Sequence, residues 1–255
     1  MRPLVGVSLK LYFSVPDSLK YIQDSIDHIP NDLIDKHNLD IFLVPDFLSI
    51  PDSSRLLEHS RIHLAAQDCF YEHKGAYTGE VSPASLAHFN CKLVELGHAE
   101  RRSLFHESDA DVARKAAAAV QHQILPLVCI GEPVRADPPE QAAAQCAVQI
   151  DPVLAAIPPH APIAFAYEPV WAIGKPQPAD PDYVNAVVRS IRNHITSSFP
   201  DRSPDSVRII YGGSAGPGLF EKLAPSCDGL FLGRFAHDVE AFRRTIDEVI
   251  KAKNL

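Results

Sequence analysis

The chain has 255 residues, 46% hydrophobic and 22% charged, with a formal net charge of −8. That length admits one α/β barrel or two smaller domains, and the acidic balance argues against nucleic-acid binding while leaving room for a local basic pocket that takes an anion. No apolar run approaches the ~20 residues that span a bilayer, and the opening MRPLVGVSLK has no long apolar core ahead of a cleavage site, so the expectation is a soluble, cytosolic protein with no membrane partner.

In chain order, short β-like runs alternate with amphipathic stretches. Leu4–Ser8 is the first strand candidate, and Tyr12–His28 follows with Leu19, Ile22 and Ile26 on one helical stripe. Asp40–Val44 is the second strand, closed by Pro45, and Ile62–Ala66 the third, followed by a long loop rich in aromatic residues and glycine. Ser82–Phe89 reads as a short helix with Pro83 in its first turn, then Leu93–Leu96 as the fourth strand. Ser108 and Asp111 stand at capping spacing at the head of a helix over Ser108–Gln123. Leu125–Ile130, a helix over Pro139–Ala156, and Ile163–Tyr167 come next. A helix over Pro181–Ser197, strands at Val207–Tyr211 and Gly229–Leu232, and a last helix over Val239–Lys251 complete the pattern.

Eight strands alternating with helices predict a parallel sheet. The first strand runs into Ser8-Leu9-Lys10 rather than into a GxGxxG turn, so a dinucleotide-binding doubly wound sheet is disfavoured. The count and the length favour a closed (β/α)8 barrel over residues 1–255, whose active site would lie at the C-terminal ends of its strands.

Polar residues at those ends are therefore the candidates. Strand 1 ends in Ser8 and Lys10, strand 4 in Gly97-His98-Ala99-Glu100, and strand 6 in Glu168, with Pro169 stopping the strand. Strand 7 ends in Tyr211-Gly212-Gly213-Ser214, whose glycines let backbone N–H groups approach an anion and whose Ser214 adds a hydroxyl donor. Strand 8 runs into Gly233-Arg234, and Arg234 either adds a bidentate charge at a phosphate or turns outward to another acid. Taken singly, a lone Glu at a strand end is usually solvated, a lone Lys is usually a surface residue and a lone His is usually a satisfied buried one. The five cysteines form no CxxC pair and read as buried free thiols of a reducing compartment. The histidines show no HExxH spacing, and no metal is expected.

The strings themselves change those odds. AYEPVWAIG over 166–174, GHAERR over 97–102, CIGE over 129–132, YGGS over 211–214 and GAYTGE over 75–80 resemble, in order, the motifs of the triosephosphate isomerase family. The resemblance implies a TIM barrel and an aldose–ketose isomerase that interconverts dihydroxyacetone phosphate and glyceraldehyde 3-phosphate without metal or organic cofactor. It implies Glu168 as the base, a neutral His98 as the electrophile, and Lys10 and Glu100 beside them. Ser8, Gly174, Ser214, Gly233 and Arg234 would hold the substrate and its phosphate. It also implies a homodimer, in which the loop around Gly75–Glu80 brings Thr78 to the neighbouring subunit's site.

Three departures stand out. Ser8 and Leu9 replace an asparagine and a tryptophan, Arg234 replaces a glycine, and Pro176 and Pro178 stiffen the exit of the lid that follows Gly174. The GRFAHD ending over 233–238 looks like that of isomerases in erythritol breakdown, so a four-carbon erythrulose phosphate is the competing substrate. A non-catalytic barrel that binds sugar phosphates would keep the phosphate cup but be free to lose the base. Glu168, His98 and Lys10 together argue against it.

Overall fold

The computed structural model describes residues 1–175 and 177–255. Eight strands, β1 (Leu4–Ser8), β2 (Asp40–Val44), β3 (His63–Ala66), β4 (Leu93–Leu96), β5 (Leu125–Ile130), β6 (Ile163–Tyr167), β7 (Val207–Tyr211) and β8 (Gly229–Leu232), close into a parallel barrel in sequence order. Closure is made by β1, which pairs Leu4 with Asp40 of β2 on one side and with Gly229 of β8 on the other.

The strands are apolar along both faces because both are covered. Inside the barrel, Leu4, Phe42, Leu93, Leu127, Ala164, Ile210 and Phe231 pack together, with the Phe42 and Phe231 rings stacked at 5.6 Å. The opposite faces, such as Val5, Val94, Leu96, Val128 and Phe165, pack against the surrounding helices. This two-sided burial stabilises the barrel at roughly 25 cal/mol per Å² of apolar area removed from water.

Helix starts follow local chemistry. Ser108 and Asp111 form a reciprocal capping box, and Ser82 accepts from the Ala84 N–H ahead of Pro83. The first helix begins at Val15 rather than Tyr12, because Ser14 caps it and Pro16 suits its first turn, and the third strand begins at His63 rather than Ile62. Four short helices, Asn31–Lys36, Ile50–Leu56, Ala99–Leu104 and Phe220–Leu223, were not expected as elements. With four to seven residues each, they are too short to show a helical period and are held by tertiary contacts. No helix among the described residues is long and apolar enough to cross a membrane.

Candidate active site

A cavity of about 630 Å³ opens at the C-terminal mouth of the barrel. Ser8, Lys10, His98, Glu100, Glu168, Gly174, Ser214, Gly233 and Arg234 all line it. Residues up to 226 positions apart thus converge because parallel strands all release their next residues at one end of the barrel.

Glu168 follows the last residue of β6 and is 4% exposed. Glycines at the ends of the two neighbouring strands make room for it. A Cβ on Gly212 would stand 2.6 Å from the Glu168 carboxylate, and one on Gly131 would collide with the Glu168 carbonyl. Gly212 thus serves the carboxylate's packing as well as the turn. Oε1 accepts a weak contact from the Cys129 thiol at 3.6 Å, while Oε2 has no hydrogen-bond partner among the described residues. Burial pushes the carboxyl up to about 8, helped by the charge of Glu95 and opposed by Lys10. Burial likewise pushes the Cys129 thiol far up, so it packs as an inert group.

His98 Nε2 lies 3.6 Å from that free oxygen of Glu168. His98 itself caps the helix Ala99–Leu104, and its Nδ1 accepts the Glu100 N–H at 3.1 Å. An acceptor at Nδ1 places the ring proton on Nε2, facing the cavity. Burial and then the charge of Lys10 push the imidazole down to about 4, so the ring is neutral at physiological pH.

Lys10 holds a left-handed backbone, with φ of 49°, uncommon for a residue with a side chain. The Gln67 amide donates to its carbonyl at 2.9 Å and braces the turn. Lys10 Nζ donates to Glu100 Oε1 at 2.8 Å. Burial alone would lower the ammonium's pKa, but the Glu100 hydrogen bond and the charges of Glu100, Glu168 and Glu95 together outweigh it and the net shift is upward, so the charge persists. Burial acts to raise Glu100, but the Lys10 hydrogen bond and charge hold it below the ordinary range.

Behind the His98 turn lies a buried ionic cluster. Lys115 contacts Asp68 at 2.8 Å and also Glu107, and Arg101 contacts Asp68 at 2.8 Å. Glu107 accepts the Gly97 N–H at 3.2 Å, while Arg102 donates to the Gly97 carbonyl at 2.7 Å. Both polar groups of the residue before His98 are thereby fixed. A second anchor is Glu132, fully buried, which accepts from Trp171 Nε1 at 2.7 Å and from the Tyr167 and Tyr183 hydroxyls. It ties down the start of the segment after Glu168, leaving Trp171 half-buried.

At the opposite rim, Ser214 Oγ donates to the Ala172 carbonyl at 3.3 Å. Arg234 turns inward: its guanidinium comes within 4.0 Å of where a Cβ on Gly174 would stand and lies 5.9 Å from the Tyr12 ring. It has no acidic partner among the described residues. Pro178 lines the same rim, and Pro176 lies outside the described residues. Thr78 sits on an exposed loop, with the neighbouring Tyr77 ring 4.7 Å from Phe70.

One buried carboxyl behind the site is absent from the sequence candidates. Glu95, inside β4, is 4% exposed and accepts from Ser8 Oγ at 3.0 Å. Its signal was a carboxylate in the otherwise apolar string Leu93-Val94-Glu95-Leu96.

A buried carboxyl with one free oxygen, a neutral imidazole and a charged ammonium line one cavity at the mouth of a closed (β/α)8 barrel, a set of groups able to exchange protons with a bound ligand. The triosephosphate isomerase family model matches residues 3–249. An L-erythrulose-1-phosphate isomerase of Pectobacterium atrosepticum is 38% identical over 96% of this chain and 94% of that protein. A triosephosphate isomerase of Pelobacter propionicus is 36% identical over 96% of this chain and 98% of that protein. The chain belongs to the triosephosphate isomerase family.

Proposed function

We propose that the chain interconverts dihydroxyacetone phosphate and glyceraldehyde 3-phosphate through an enediolate. The observation that carries this reading is the free Glu168 Oε2, 3.6 Å from the protonated nitrogen of a neutral His98. Glu168 removes a proton from the carbon beside the ketone. His98 Nε2–H and the Lys10 ammonium stabilise the oxygen on which charge develops. Glu168 then returns the proton to the neighbouring carbon. Gly174, Ser214, Gly233 and Arg234 receive the phosphate, and the segment after Gly174 closes over it to exclude water.

A four-carbon erythrulose phosphate is the second reading. It is favoured by Ser8, whose side chain lines the cavity beside Glu95 but is shorter than an asparagine's and leaves more room for a ligand, and by Arg234 beside Gly174. The relative from Pectobacterium atrosepticum named for that substrate adds to it. Assaying the protein on both ketose phosphates, in deuterated water and beside Glu168→Gln, tests both. Turnover of triose phosphate with deuterium entering the product supports the first. Four-carbon turnover with little triose activity selects the second. No turnover of either leaves a phosphate-binding barrel.

We also propose a homodimer in which the exposed loop Gly75–Glu80 docks on a second copy, with Thr78 at its site. Sedimentation of the protein beside Thr78→Arg reads this directly, and a monomeric parent protein would exclude it.

A further inference from the structure

We propose that Ser8, backed by the buried Glu95, forms a hydroxyl-binding subsite in the wall of the cavity, which selects ligands by a hydroxyl near the reacting carbons. This rests on reading the cavity as a sugar-phosphate site, and its test is chosen to be separable from catalysis.

The argument begins with strand periodicity. Side chains alternate along β4, and Leu93 packs in the barrel interior while Val94 and Leu96 pack outside against helices. Glu95 therefore points inward, into a layer otherwise filled by aliphatic and aromatic groups. A carboxyl in such a layer is costly unless it is hydrogen-bonded. Its partner is Ser8, at the end of β1, three strands around the barrel. The two side chains meet across the mouth, and Ser8 is the member that lines the cavity. Among the described residues, Ser8 is the only hydrogen-bond partner of the Glu95 carboxyl.

The chemistry of the pair follows from its protons. Burial pushes the Glu95 carboxyl up to about 8, against the pull of Lys10 and of the Ser8 hydroxyl. Near neutral pH the pair then carries a carboxylic acid and a hydroxyl. One proton lies between them, and the other leaves the pair able to donate as well as accept. A ligand hydroxyl also donates and accepts, so it makes two bonds where a carbonyl oxygen makes one. A site built to bond a hydroxyl discriminates against an analogue that lacks it, because its own polar groups are then left unpaired. When ionised, Glu95 also acts on the neighbouring groups, raising Glu168 and Lys10. The subsite therefore lies within electrostatic reach of the base.

The test measures binding, not turnover. Glycerol 3-phosphate and propyl phosphate share a three-carbon chain and a phosphate but differ in hydroxyls. Calorimetry on the full-length protein should show glycerol 3-phosphate preferred by about tenfold or more, the scale of one well-made buried hydrogen bond. Ser8→Ala and Glu95→Leu should each abolish that preference while propyl phosphate affinity stays within about twofold. The double variant should lose no more than either single one, because the two residues act as a pair. Glu95→Gln should keep the preference, since an amide also donates and accepts. If Glu95→Leu fails to fold, Ser8→Ala carries the test. A parent protein without the preference, a preference that survives Ser8→Ala, or an equal weakening of both ligands overturns the proposal. A protein that shows the preference but turns over no ketose phosphate would sink the isomerase reading and keep the subsite.

Discussion

His98 Nε2 lies 3.6 Å from Glu168 Oε2, and that oxygen has no other partner among the described residues. A neutral imidazole and a carboxyl this close both face the cavity, so one ligand can meet both groups. The contact joins the end of β4 to the end of β6, with β5 between, and its glycine Gly131 makes room for Glu168.

Glu168→Gln keeps the shape and removes the basic oxygen. Steady-state assays should show kcat reduced by about 10²–10⁴-fold with KM little changed, the usual worth of a positioned general base. A kcat within about threefold of the parent protein would remove Glu168 from the role of base.

The pH dependence of activity follows from the direction of the shifts. A base held up to about 8 by burial is increasingly protonated as pH falls, so kcat/KM of the free enzyme should rise with pH through that range. His98, held near 4, should contribute no limb between pH 5 and 8. A kcat/KM that is flat down to pH 5 would show that Glu168 titrates as an ordinary carboxyl.

Stability should carry the same signature. The folded protein binds the Glu168 proton more tightly than the unfolded chain, whose carboxyl sits near the ordinary 4.5. The contribution of this group is therefore fully present below that value and is lost as pH rises toward 8. Thermal melts should find Glu168→Gln more stable than the parent at pH 8 to 9, with the gap closing toward pH 4. A gap that widens at low pH would contradict the raised carboxyl.

Arg234 supplies a cation at the rim that faces Gly174. Arg234→Gln should raise KM for the phosphorylated ketose by about tenfold while kcat stays within about twofold, and should weaken the salt dependence of KM. Arg234→Lys should recover part of the affinity, because it keeps the charge but not the fork. Unchanged KM in both variants would place Arg234 outside phosphate binding.

Lys115 neutralises Asp68 and Glu107 in the cluster behind His98. Lys115→Met strands two buried carboxyls, with Arg101 left to serve both, and should cost about 3–5 kcal/mol. In a chain of this size that is a fall of roughly 10 °C in Tm, read by calorimetry. Glu107 also holds the Gly97 N–H, so kcat should fall as well. A Tm within about 2 °C of the parent would mean the cluster relaxes without Lys115.

Much of this molecule was legible from its chain. The strand runs, Ser108 with Asp111 and Pro83 behind Ser82 are local signals, because capping and alternation involve residues a few positions apart. They sufficed for eight strands and a barrel, and the strings around Glu168, His98 and Lys10 sufficed for the family. Other features needed the closed barrel. Ser8 and Glu95 are 87 residues apart, and only the curvature that brings β1 opposite β4 makes them partners. Lys115 meets Asp68 only through the packing of the helix Asp109–Gln121 beneath the strand ends. The approach of Arg234 to Gly174 joins strand ends 60 residues apart and is visible only in the fold. Periodicity says which way a side chain points. Which group it meets is set by barrel closure and helix packing, which sum over all the elements and are written in no single stretch.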